Sequence, residues 1–158
     1  MTIDSTDTNS WATSPGVRKS MQGNRHRDTK PELAVRTLLH KMGHRYRVDV
    51  RPEVSIRRKA DLVFTRIKLA VFIDGCFWHG CNEHFVKPKS NMDYWDNKIG
   101  NNIDRDRETN SLLEERGWSV VRIWTHTDPH DAALHIDESV REIRARVKSA
   151  EPVATRFG

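Results

Sequence analysis

The spacing of apolar positions changes repeatedly along the chain, and each change predicts an element. Thr29-Lys-Pro-Glu32 is followed by Val35, Leu38, Leu39 and Met42, which share one helical face, with Gly43 just beyond. Thr29 suits the N-cap, Pro31 the first turn and Glu32 the capping-box position, so a helix is expected here, ended by Gly43. From Arg45 the period becomes two. Tyr46, Val48 and Val50 alternate with Arg45, Arg47 and Asp49, as in a strand with one wet face, and Pro52 stops it. Ala60 to Phe64 reads as a second strand and Leu69 to Ile73 as a third, apolar throughout and hence buried on both faces, with Thr65 to Lys68 turning the chain between them. Tyr94 to Arg116 is a long polar helix with Trp95, Ile99, Ile103, Leu112 and Leu113 on its apolar side and Gly117 as its C-cap. Trp118 to Trp124 is a compact strand that delivers His126. Ile136, Val140, Ile143 and Val147 mark a last amphipathic helix.

This order implies an α/β chain, with a small mixed sheet flanked by helices. A strand reached through a long helix lies parallel to its partner by a right-handed crossover. That places His126 and the segment after Ile73 at one sheet edge. The hairpin of the second and third strands brings Asp61 near Asp74, and two carboxylates at neighbouring strand ends suit a divalent cation.

The length of 158 residues fits one domain. The expected layout is a disordered tail over 1–15, a single domain over 16–148 opened by a basic arm over 16–28, and a tail over 149–158. No stretch resembles a signal peptide or a membrane span, so a cytoplasmic, nucleoid-associated location is expected, with no membrane partner. The net charge of +5 conceals an asymmetry: residues 16–60 carry thirteen Lys/Arg against four Asp/Glu, or +9, leaving −4 for the rest. Charge concentrated in this way is expected of a phosphate-rich partner, although a solubilising surface would look similar.

Asp74-Gly-Cys-Phe-Trp-His-Gly-Cys-Asn-Glu-His84 holds both cysteines and two of the eight histidines. Soft sulfur and imidazole donors this close form a zinc-like signature, and metal ligation or free thiols are favoured over a lone tight disulfide. Free cysteines packed in a core, with surface histidines, are the plainer alternative.

The run from Thr29-Lys-Pro-Glu32 through Ala60-Asp-Leu-Val-Phe64, Val71-Phe-Ile-Asp-Gly-Cys-Phe-Trp-His-Gly-Cys81, Tyr94-Trp-x-x-Lys-Ile-Gly-x-Asn102 and Asp104-Arg-Asp-Arg107 to Gly117-Trp-x-Val-x-x-x-Trp124 resembles the very short patch repair (Vsr) DNA mismatch endonucleases. The resemblance implies a restriction-endonuclease-like core with a structural zinc site. It also implies magnesium-dependent nicking of duplex DNA on the 5′ side of the thymine in a T:G mispair, such as deamination of 5-methylcytosine leaves, with a 5′-phosphate product. By the same resemblance Asp61 and the backbone carbonyl of Ile73 bind Mg2+, and His79 is the general base. Glu32 lies near the catalytic centre, although it also completes a capping box. Cys76, Cys81 and His126 are zinc ligands, completed by His84 in preference to Glu83 because imidazole suits a closed zinc site better. Phe77, Trp78 and Trp95 wedge into the base stack, while Lys98 and Asn102 contact the same groove. Trp95, on an apolar helix side, also suits core packing.

Asp74 stands where the best-known member has histidine, and it is expected either to bind metal or to orient His79. Ala60 replaces a proline. Two rival readings remain: a restriction-like endonuclease cutting unmismatched DNA, and a non-catalytic zinc-stabilised DNA-binding protein. Nicking one strand needs one active site, which favours a monomer.

Overall fold

The computed structural model describes residues 27–76, 78–87 and 89–150. Helix α1 (Lys30–Lys41) opens on Thr29, as the capping pattern requires, but its hydrogen bonds are arranged differently. The Thr29 hydroxyl donates to Glu32 Oε1 at 2.9 Å, and Glu32 Oε2 accepts the backbone N–H of Asp28 at 2.8 Å. Asp28 has a left-handed backbone (φ 58°), and it is the N–H of this residue, not of Thr29, that the glutamate satisfies. At the other end the N–H groups of His44 and Gly43 bond to the carbonyls of Leu39 and His40, the paired closure that needs a residue like Gly43 at φ 86°. Val35 and Leu39 are buried, whereas Met42, expected on the same face, is partly exposed where the helix ends.

Four strands follow in the expected order: β1 (Arg47–Val50), β2 (Ala60–Phe64), β3 (Leu69–Asp74) and β4 (Ser119–Trp124). They form one sheet in the order β1-β2-β3-β4, with β1/β2 and β2/β3 antiparallel and β3/β4 parallel. A short 3-10 turn (Thr65–Ile67), closed by Lys68 at φ 50°, links β2 to β3. Helix α2 (Met92–Glu114) makes the crossover to β4, and α3 (Pro129–Ala150) ends the described chain.

The sheet separates two cores. On one face α1 and α3 cover Leu62, Leu69, Val71 and Ile123 with Val35, Leu39, Ile136 and Val140. On the other, Leu113 of α2 and Trp118 cover Val63, Ala70 and Phe72. β3 contributes alternately to both, so Leu69 to Ile73 are all buried, as an unbroken apolar run predicts, and Asp74 at the strand's end is buried with them. Removing a fully buried leucine such as Leu62 or Leu69 would cost about 2–5 kcal/mol.

Two local departures matter. Val48 packs into the first core and Val50 into the second, although positions two apart on a strand ordinarily share a face. The residue between them, Asp49, has φ 53° and reverses the pleat there. Opposite, Leu62 and Ala60 divide between the same two cores, so Asp61 stands at the reversal. At the C-terminus α3 runs through Ala150, past the boundary expected at 148, and Val147 is half exposed on it because the sheet no longer lies beneath. The tails 1–15 and 151–158 and most of the basic arm, 16–26, lie outside the described residues. Among the described residues no helix is long and apolar enough to cross a membrane.

Candidate active site and metal centre

Parallel pairing of β3 with β4 sets Asp74 opposite Trp124, and the N–H of Thr125 bonds to the Asp74 carbonyl at 3.0 Å. The chain leaving β3 and the chain leaving β4 therefore emerge side by side. Cys76 Sγ lies 3.0 Å from His126 Nδ1, Cys81 Sγ 3.8 Å from the same nitrogen, and Cys81 Sγ 3.9 Å from His84 Nδ1. One donor atom from each of Cys76, Cys81, His84 and His126 falls within 4.8 Å of all the others, so the four expected residues converge. Both cysteines are free thiols. Burial pushes the Cys81 thiol up, but the backbone N–H groups of Glu83 and His84 and the side chains of His84 and Cys76 outweigh this and hold it below the usual thiol range. A thiolate-prone sulfur among sulfur and imidazole donors is the chemistry of a four-coordinate transition-metal site. Glu83 stays outside the set, with Oε2 3.6 Å from His126 Nε2, where it can orient that ring.

Helix α2 receives the rest of the loop on one stripe. Trp78 packs against Trp95 with ring centroids 6.1 Å apart, and its backbone carbonyl accepts Asn102 Nδ2 at 3.0 Å. Gly80 lies so close to the helix that a Cβ built on it would sit 3.0 Å from Ile103 Cδ1, and its φ is 63°. Only glycine meets both demands without strain. One turn further, Asp106 Oδ2 bonds to His79 Nδ1 at 2.5 Å. Positions 95, 99, 102, 103 and 106 thus hold residues 78 to 80. Lys98 Nζ lies over the rings of both Trp78 and Tyr94, 5.7 Å from each centroid. Trp95 is only 4% exposed and supports Trp78 from beneath. Phe77 lies outside the described residues.

The acidic side of the site centres on Asp61. The β2/β3 register runs from Phe64–Leu69 to Leu62–Val71. Beyond it, Asp61 Oδ2 accepts the N–H of Ile73 at 2.6 Å in place of a backbone carbonyl. In a strand the N–H and C=O of one residue leave on the same side, so the Ile73 carbonyl also faces the Asp61 side. Burial raises the Asp61 pKa most; the Ile73 hydrogen bond opposes it; Glu32, Asp74 and Asp49 add to the rise, which reaches about 6. Arg122 pairs with Asp74 and Lys59 with Asp49, so the charge left around Asp61 is that of Glu32 and of Asp61 itself, a hard oxygen donor of the kind a divalent cation takes. Glu32, 7% exposed, therefore both closes the start of α1 and charges this pocket.

Asp74 is occupied. Arg122 NH1 lies 2.9 Å from both of its oxygens, and the Arg122 guanidinium stacks on Phe72 at 4.4 Å. Arg122 also reaches Asn110 Oδ1 at 2.9 Å and Asp106 Oδ1 at 3.4 Å, which ties β4 to α2 and to the partner of His79. Asp74 Oδ1 is 3.8 Å from His79 Nδ1, too far for a hydrogen bond but close enough to act by charge. Burial works to lower the His79 pKa; the Asp106 hydrogen bond and the charges of Asp74 and Asp106 outweigh it, with Arg122 opposing, and the net shift is upward. Asp74, His79 and Asp106 also place donor atoms within 4.8 Å of one another.

Asp106 and Arg122 are the participants that sequence reasoning did not single out as site residues. Asp106 sits among alternating acids and bases on a polar helix, where a carboxylate is unremarked. Arg122 carried a usable signal: it is the one charge inside the apolar run Trp118–Trp124, and charges in such runs are rarely buried without a partner.

The family model described as DNA mismatch endonuclease Vsr matches residues 12–84. The type II nicking enzyme V.NaeI of Lentzea aerocolonigenes is 43% identical over 130 residues, which is 81% of this chain and 78% of that protein. The type II nicking enzyme V.HpaIIP of Haemophilus parainfluenzae is 39% identical over 123 residues, covering 75% and 85%. The DNA mismatch endonuclease Vsr of Escherichia coli (strain K12) is 35% identical over 107 residues, covering 67% of each. Likeness at this level, extending through the loop, helix and strands that build the site, places the chain in the Vsr family of DNA mismatch endonucleases.

Proposed function

We propose that this protein nicks duplex DNA on the 5′ side of the thymine in a T:G mispair, with Mg2+ as its catalytic ion and Zn2+ as a structural one, in very short patch repair. The observation that carries this reading is the placement, at one end of the sheet, of the Asp61 carboxylate, bonded to the Ile73 N–H, and of a histidine held by a carboxylate. Asp61 and the Ile73 carbonyl would hold Mg2+, which when bound polarises the scissile phosphate and acidifies water. Cys76, Cys81, His84 and His126 would hold Zn2+ and tie the loop to the end of β4.

The residues themselves divide the work. Asp106 accepts from His79 Nδ1 and so fixes the tautomer, leaving Nε2 to take the proton from the attacking water. Arg122 neutralises Asp74 and keeps Asp106 in line, so Asp74 serves His79 by charge rather than as a free metal ligand. Trp78, partly buried and backed by Trp95, would enter the base stack, with Phe77 next to it in the sequence as a second wedge. A weak mispair lowers the unstacking cost, roughly a few kcal/mol per step, so deformability becomes part of recognition. Lys98 and Asn102 lie along the same helix face as Tyr94 and Arg105, where phosphate contacts would fix the register. A restriction-endonuclease-like ancestry accords with a mixed sheet whose strands part at Asp61. One site suffices for one nick, so a monomer is enough.

The test is a set of labelled duplexes carrying T:G or C:G at one position in varied flanks, with and without magnesium. Nicking confined to the T strand of T:G duplexes is expected. Equal cutting of paired DNA, or binding without cutting in every flank, overturns the reading. Asp61→Ala should reduce nicking by more than about a thousandfold while duplex binding persists, because the loss falls on chemistry rather than on affinity.

A further inference from the structure

Asp61 and the loop after β3 occupy one end of the sheet. At the other end, where α1 has finished, β1 begins and the 3-10 turn leaves β2, the surface folds into a cleft of about 550 Å³. Arg45, Arg47, Arg66 and Arg144 line it, with Thr65 among them and Phe64 in the lining from β2; no Asp or Glu contributes. All four arginines are exposed. Among the described residues none of the four pairs with a carboxylate, and the contrast on α3 is direct: Arg141 is paired with Asp137 and Arg146 with Glu142, while Arg144, which faces the cleft, is not. Arg45 donates one N–H to the carbonyl of His44 at 2.8 Å, which steadies its guanidinium and leaves the remaining donors available.

Four like charges gathered in a concavity repel one another, and the fold does not need them there. A concave wall also concentrates their field, and planar guanidinium forks match phosphate oxygens two at a time. The cations come from three separate elements, β1 with its approach, the turn and α3, so the cleft is wider than a single small anion requires. A polyanion that presents several phosphates fills it, and DNA is the polyanion this family handles.

We propose that this cleft is a second, sequence-independent phosphate-backbone site, which holds a DNA segment other than the one at the cutting end, so that one protein molecule bridges two segments. The inference rests on DNA being the partner and not on the T:G reading.

The test uses the full chain and two short duplexes, a donor-labelled T:G duplex and an acceptor-labelled fully paired one, with energy transfer reporting that both are bound together. Wild-type protein should give transfer, and R45Q/R47Q/R66Q/R144Q should abolish it while nicking a short T:G duplex at a rate within about twofold of wild type. The affinity for the second duplex should fall steeply with salt, with a logarithmic slope of roughly −3 to −4 if each arginine neutralises one phosphate. Should the quadruple variant not melt cooperatively, R45Q/R47Q and R66Q/R144Q are measured separately, and each should weaken transfer.

The proposal is overturned if wild-type protein never holds two duplexes, if the variants leave transfer unchanged, or if they weaken the T:G duplex by the same factor, which would make the cleft part of one footprint. It is overturned too if a polyglutamate peptide displaces the second duplex more readily than paired DNA of equal charge does, which would point to an acidic protein. Transfer without any nicking of T:G would instead refute the mismatch reading and leave the cleft standing.

Discussion

The soft cluster, Cys76, Cys81, His84 and His126, and the hard cluster, Asp74, His79 and Asp106, share one loop but are assembled in opposite ways. Three of the four soft donors lie within nine consecutive residues, and Glu83, 3.6 Å from His126 Nε2, stays outside their set. Their convergence is of the kind that could hold a metal ion. The hard cluster draws on the end of β3, the loop and the middle of α2, and it already contains its counter-charge in Arg122. Its members satisfy one another. The first cluster therefore fixes where the loop is, and the second fixes how His79 points.

Breaking the soft cluster should have the largest effect. Structural zinc contributes on the order of 10 kcal/mol in small zinc domains, but here the two cores lie elsewhere, so Cys81→Ser should cost the loop rather than the sheet. Nicking should disappear and metal analysis should return no zinc, with far-UV dichroism little changed. Global unfolding would show instead that the loop holds the fold together.

Next comes the counter-charge. Asp74 is 7% exposed, and Arg122→Leu would leave it buried and unpaired, at a cost of about 3–5 kcal/mol in a denaturant titration. A loss below 1 kcal/mol would show that Asp74 takes up a proton or finds water with little penalty.

Asp106→Asn keeps the shape of the dyad but can donate to His79 Nδ1 and so favour the wrong tautomer. Nicking by a single-turnover assay should fall roughly a hundredfold, with duplex affinity and zinc content unchanged. An unaltered rate would remove His79 from the role of base.

The smallest effect is a pH dependence. The folded-state pKa of Asp61, about 6, lies above its ordinary 3.8, so the folded protein binds this proton more tightly than the unfolded chain does. Without added magnesium, the stability this proton contributes is fully present below pH 3.8 and is lost as pH rises through about 6; Asp61→Asn should flatten that component of a melting-temperature profile. The same proton competes with a cation, so at limiting magnesium nicking should rise with pH through the same range. A profile unchanged in Asp61→Asn would assign the titration to another group.

Much of the chain was legible before folding was considered, because its information is local. The period-two run, the five-residue apolar run Leu69–Ile73 of β3, the stripe Trp95, Ile99, Ile103 on α2 and the glycines at 43 and 117 specify elements through backbone geometry and burial within a few turns. The convergence of Cys76, Cys81 and His84 was legible for the same reason, since these donors are near neighbours whatever the fold.

What the sequence could not determine depends on pairs separated by tens of residues. Arg122 meets Asp74 only because β4 lies parallel to β3 in one register, and Asp106 meets His79 only because α2 crosses the sheet at the height of the loop. The pleat reversal at Asp49 that sets Asp61 between the two cores comes from one backbone angle, which residue type permits but does not dictate. By itself, then, the sequence determined the elements, the mixed sheet and the soft donor set. The tertiary structure alone decided that Asp74 is neutralised by Arg122, that Trp95 lies beneath Trp78, and that Asp106 holds the ring of His79, because ion pairing and burial are settled by which distant groups exclude water together.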